Sequence, residues 1–123
     1  MDSTDTRRRR EVWLVTLGAG RTGEPAKTRP AIVVSRDELS IRSPSDLVVI
    51  VPLSSSLAPS GIRVEVPPIT GIDRPSLAIC RAVRAAAAPR FVRRIGTVDP
   101  ATMEKVETAL ALILGLDHQS APG

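Results

Sequence analysis

A mainly β domain with one C-terminal helix, folded as a small antiparallel barrel or strongly curved sheet, is predicted for this chain. Three observations carry the prediction. Five short stretches rich in Val, Ile and Leu are separated by Gly and Pro, which is the punctuation of an all-β domain. The hydrophobic period then changes from two to about 3.6 after Asp99. Finally, a length of 123 residues suits one domain with one modest core.

The elements follow in order. Residues 1–10, "MDSTDTRRRR", are polar and charged and are expected to form a flexible basic arm. Its four arginines admit two readings, a solvated tail or nonspecific phosphate attraction. "EVWLVTL", residues 11–17, reads as a strand running into the loop "GAGRTGEP". "PAIVVS" is the second strand. "DLVVIVPL", residues 46–53, is nearly all apolar and is expected to be a central strand covered on both faces, with Pro52 marking an edge or a bulge.

"GIRVEVP", residues 61–67, alternates Ile62, Val64 and Val66 with Arg63 and Glu65, the pattern of a strand with one wet face. "SLAICRAVR", residues 76–84, is read as a fifth strand. The helix is expected to start from Asp99 as N-cap with Pro100 at its first position. Met103, Val106, Leu110 and Ile113 form its apolar stripe, and Gly115 stops it. The domain is therefore bounded at 11–116, and 117–123 is expected to be a flexible tail.

Composition narrows the chemistry. Formal net charge is +4 and arginine dominates the basic residues, which favours an anionic partner. Trp13 and Phe91 are the only aromatics, so base stacking is scarce; Trp13 itself is open to stacking on a base or to packing. Cys80 is the single cysteine and reads as a small buried apolar residue, without disulfide or thiolate metal site. His118 is the single histidine, so Ser-His-Asp and Cys-His mechanisms are excluded, and no metal or cofactor is expected. "GAGRTG" lacks the Lys-Ser/Thr ending of a phosphate loop and reads as a mobile loop. No apolar run approaches a membrane span and "MDSTDTRRRR" lacks the apolar stretch of a signal peptide, so a cytoplasmic protein is expected.

One set of residues stands out. Arg29 directly precedes Pro30, which holds it extended at the second strand's entrance. Glu24 is a carboxylate in the preceding loop, and Ser54 offers a hydroxyl at the exit of the central strand. If antiparallel neighbours carry Arg29 and Ser54, an entrance and an exit meet at one end of the sheet. Taken alone, Arg29 also fits an ordinary surface ion pair, and "SSS" at 54–56 a polar turn.

In order, "REVWLVTL", "GEPAKTRPAIVVS", "LVVIVPLSSS", "IRVEVP", "GIDRPSLAICRAVR" and "RRIGTVDPATMEKVETALALILGL" resemble the MazF/PemK toxins of bacterial toxin–antitoxin pairs. The likeness spans about residues 10–116. It implies an SH3-like barrel with a C-terminal helix, a homodimer, and metal-independent, sequence-specific cleavage of single-stranded mRNA, tRNA or rRNA. It also implies inhibition by a cognate, MazE-like antitoxin through a disordered acidic C-terminal segment.

By the same resemblance the catalytic positions fall on Glu24, Arg29 and Ser54. RNA contacts are expected from Lys27, Thr28 and Ser55, and from Arg81 and Arg84. Arg81 and Ala82 stand where many relatives have an acid followed by glutamine, which alters the expected cut-site preference. Five arginines and no acid between residues 81 and 94 form a basic cluster, read either as an RNA or antitoxin surface or as a solvated face. Two other readings share the fold: a CcdB-like toxin that poisons DNA gyrase, and a binding protein that has lost catalysis.

Overall fold

A computed structural model describes residues 6–18, 27–39, 46–55 and 62–116. Among these residues seven strands precede one helix: β1 (Glu11–Leu17), β2 (Lys27–Val33), β3 (Leu47–Ser54), β4 (Arg63–Val66), β5 (Ser76–Ile79), β6 (Arg84–Ala87), β7 (Phe91–Thr97) and α1 (Pro100–Leu114). All pairings are antiparallel, in the order β4-β5-β3-β2-β1-β7, with β6 on β3. The sheet curls without closing. Among the described residues no helix is long and apolar enough to cross a membrane.

β3 organises the sheet because it is apolar on both sides. Val48 and Ile50 are buried in one cluster with Trp13, Val15, Ala31 and Phe91, while Val51 and Leu53 are buried in a second with Ile32 and the helix. One edge of β3 carries β2. The other is shared, with β6 on Leu47–Ile50 and β5 on Leu53–Ser54. Pro52 lies between the two ladders, where its missing N–H leaves no partner stranded, so the expected edge is a gap within a central strand.

This sharing explains why "SLAICRAVR" is not one strand, as its sequence suggests. The chain leaves β5, turns through a 3-10 segment at Cys80–Ala82, and returns to the other half of β3 as β6. Cys80 anchors the turn at 0% exposure. In β4, Val64 and Val66 are buried as expected, but the strand begins at Arg63, so Ile62 stays outside it and exposed.

β7 is the strand whose sequence gives no period-two signal. Two bulges leave Val92 and Ile95 without partners across from β1, which breaks the alternation. Gly96 and Gly71 let a tight turn lie against this strand. Ile69 and Ile72 exchange backbone hydrogen bonds of 3.0 and 2.9 Å, and Gly71 between them has φ +87°. A Cβ at Gly96 would stand 2.9 Å from the Thr70 carbonyl oxygen. The "GID" and "IG" elements of the sequence thus meet in space.

α1 follows its sequence signals. The Asp99 carboxylate accepts from the Thr102 N–H at 2.7 Å, Pro100 opens the helix, and Gly115 ends it in the left-handed conformation. Met103, Val106 and Ala109 are buried against β3, β4 and β5, with Leu110 and Ile113 packing beside them.

The arginine run does not behave as a free arm. The Arg9 guanidinium bonds the Val34 carbonyl and Glu107, and the Arg9 backbone N–H donates to the Asp37 carboxylate at 2.8 Å. Arg10 pairs by backbone with Val33 and Val98, and its Nε donates to the Val98 carbonyl at 3.0 Å. Residues 9 and 10 are therefore fastened to the sheet, because their donors meet carbonyls and acids that sequence distance had concealed. Residues 1–5 and 117–123 lie outside the described residues.

Candidate active site

β2 changes character at Pro30. Lys27, Thr28 and Arg29 are exposed, whereas Ala31, Ile32 and Val33 are fully buried. β1 runs beside all of β2, setting Leu17 opposite Lys27 and Val15 opposite Arg29. β3 pairs only with the buried half, at Ala31–Pro52, Ile32–Val51 and Val33–Ile50. Carried two residues further, that register brings Arg29 level with Ser54. Phe91, Val15, Arg29, Ser54 and Leu77 then stand in one row across β7, β1, β2, β3 and β5.

Strand alternation puts this row on the face of the Trp13–Phe91 cluster. The cation and hydroxyl thus end an apolar inner face. Val15, next to Arg29, has no exposure, so the guanidinium rises from a rigid floor while it is itself in solvent. Ser54 is half-buried.

The other expected site residues sort by place. Lys27 is two residues from Arg29 on the same face and adds a second positive charge. Thr28 points the other way, with its hydroxyl 3.5 Å from that of Thr16. Ser55 follows β3 in an exposed bend. Arg84 is exposed opposite Ile50, on the inner face and four residues along β3 from Ser54. Arg81 is exposed in the Cys80–Ala82 turn, outside the row. Glu24 lies outside the described residues.

The five arginines of residues 81–94 do not make one solvated face. Arg90 donates to the Thr16 carbonyl at 3.2 Å, and Arg94 pairs with Glu11 at 3.0 Å. The sequence did not single out Glu11, an acid at a strand's first position. It is 6% exposed and accepts from the Arg8 N–H at 2.8 Å, the Trp13 indole N–H at 3.0 Å and Arg94. Only the charge next to "VWLV" hinted at it.

A curled, barrel-like antiparallel sheet backed by one helix, with exposed Lys27 and Arg29 on β2 and half-buried Ser54 on β3, defines a small, mainly β protein with a positively charged strand entrance. The chain belongs to the PemK-like, MazF-like toxins of type II toxin–antitoxin systems, whose family model matches residues 8–114. It is 32% identical over 115 residues to the endoribonuclease MazF9 of Mycobacterium tuberculosis, across 89% of this chain and 97% of that one. Among solved structures it resembles a mycobacterial endoribonuclease in complex with its cognate antitoxin, with a TM-score of 0.71 and 26% identity over 89% of this chain and 95% of that one. A MazE–MazF structure from Deinococcus radiodurans matches with a TM-score of 0.74 over 89% of this chain and 96% of that one; at 16% identity it speaks for the fold alone.

Proposed function

We propose that this chain is the endoribonuclease toxin of a toxin–antitoxin pair and that Arg29 is the centre of its chemistry. The 2′-hydroxyl of the RNA attacks the adjacent phosphorus, forming a P–O2′ bond while the P–O5′ bond breaks. The 2′-hydroxyl proton passes to Glu24, and the departing 5′ oxygen takes a proton from solvent. A 2′,3′-cyclic phosphate and a 5′-hydroxyl result. Arg29 meets the charge that develops on the phosphorane oxygens, and Ser54 holds one of them by hydrogen bond.

The observation that supports this reading is the level placement of Arg29 and Ser54 at an exposed strand entrance. A cation fixed by Pro30 and β1 needs little reorganisation as charge builds up. Lys27, Thr28, Ser55, Arg81 and Arg84 bind the flanking strand. The nucleophile belongs to the substrate and Arg29 supplies the countercharge, so the reaction proceeds without a metal ion and spares DNA. A homodimer with a groove between its subunits takes the RNA, and the cognate antitoxin blocks that groove with a disordered acidic segment.

The test is incubation of antitoxin-free protein with long single-stranded mRNA, tRNA and rRNA in EDTA, beside DNA and the Arg29→Ala variant. Discrete cuts in RNA alone, ending in cyclic phosphate and absent with the variant, are expected. A folded protein that cuts none of the RNAs overturns the proposal.

A further inference from the structure

On the far side of β1 from Arg29, a cavity of about 500 Å³ opens between residues 6–7 and β7, with Arg7, Glu11, Trp13, Arg93 and Arg94 in its wall. That volume lies in the range of sites for small organic ligands. Three arginines and one glutamate border it, so the wall carries an excess of positive charge. Glu11 is already engaged by Arg8, Trp13 and Arg94, which makes it a holder of Arg94 rather than a repellent of anions. Arg93 makes no ion pair among the described residues.

The aromatic pair backs this pocket in an unusual way. The Trp13 and Phe91 rings meet edge to face at 5.8 Å. The Arg7 guanidinium lies over both, 4.6 Å and 5.2 Å from their centroids. Trp13 is 5% exposed, so it offers little ring to a ligand directly. Arg7 instead presents a guanidinium backed by two rings, and RNA bases stack on guanidinium planes as well as on aromatic rings.

We infer that this cavity is a subsite for one nucleotide of the RNA strand, with the base on Arg7 and its phosphate on Arg93 and Arg94. The inference rests on the ribonuclease reading and extends it to a part of the substrate away from the scissile phosphate. Trp13 is two residues from Val15, the partner of Arg29, and β7 and β2 flank β1. Strand spacing then puts the subsite on the order of 12 Å from Arg29, within reach of one continuous strand. The charges would suit an acidic peptide equally, but the stacked Arg7 favours a ligand with a planar ring.

The test compares wild type with Arg93→Ala and Arg93→Glu on a long single-stranded RNA containing the mapped cut site and on a minimal RNA trimmed to the nucleotides beside it. On the long RNA, Arg93→Ala is expected to raise KM about tenfold with kcat nearly unchanged. The slope of log kcat/KM against log salt should shrink by about one. Arg93→Glu should do more, and neither variant should alter the minimal RNA. Equal behaviour on both RNAs overturns the subsite while leaving the ribonuclease reading intact. If wild type cuts nothing, that reading fails, and anisotropy of the labelled long RNA decides the subsite: binding unchanged by Arg93→Glu overturns it, as does a loss confined to a poly-glutamate peptide.

Discussion

Continued two residues past its last pair, Ala31–Pro52, the register of β2 on β3 sets Arg29 level with Ser54, although 25 positions separate them in the chain (54 minus 29). Val15 lies beside Arg29 without exposure, and Leu77 pairs with Ser54 on its other side. Substitutions at the two polar positions should therefore change activity far more than folding.

Arg29→Ala is expected to lower kcat by about a hundredfold to a thousandfold, the range for removing a donor aimed at developing charge. Arg29→Lys should recover only part, because an ammonium lacks the planar fork. Ser54→Ala should cost about tenfold, in keeping with one hydrogen bond to a charged oxygen. Single-turnover RNA cleavage measures all three, and the melting temperature should stay near wild type because Arg29 is exposed.

Glu11 should matter to stability. Glu11→Ala leaves the Arg8 N–H and the buried Trp13 indole N–H without their acceptor, and is expected to destabilise the protein by about 3 kcal/mol in urea unfolding. Arg94→Ala should cost less, about 1 kcal/mol, because its side chain is 60% exposed and Glu11 keeps two N–H donors.

Asp99 predicts a pH dependence. The Thr102 backbone N–H, the Thr102 side chain, and the charges of Lys105 and Arg10 hold its carboxyl below its ordinary value of 3.8. Depression in the folded state means that the cap's stabilisation is present above pH 3.8 and is lost as pH falls through the lower folded value. Asp99→Asn caps without titrating, so its melting temperature should fall less than that of wild type on acidification below pH 3.8. Equal slopes for the two proteins would count against the cap.

Cys80 should be inert. It is fully buried, and burial pushes its thiol above the ordinary range, so thiolate is scarce at neutral pH. A thiol reagent is expected to label it only as fast as the protein opens, and labelling should become complete in denaturant.

The close approach at Gly96 allows a further check. A methyl there meets the Thr70 backbone oxygen, which cannot rotate away, so Gly96→Ala should force the Ile69–Ile72 turn from β7 and lower the melting temperature by several degrees.

By itself the sequence determined what local chemistry controls. Pro30 and the apolar residues after it specify β2 and hold Arg29 extended; Val48 to Leu53 specify a strand buried on both faces; Asp99, Pro100 and Gly115 bound the helix. Each is a matter of backbone restriction or side-chain period within a few residues. Motif order was also legible, and with it membership of the toxin family.

Only the tertiary structure decided which residues meet across long stretches of chain. It made one edge of β3 serve two strands, split "SLAICRAVR" at Cys80, and tied Arg9 and Arg10 to carbonyls more than twenty residues away. It also hid β7, whose two bulges erase the period that marks a strand. The level placement of Arg29 and Ser54 belongs here too, because register is set where buried faces must match, and no single strand carries that information.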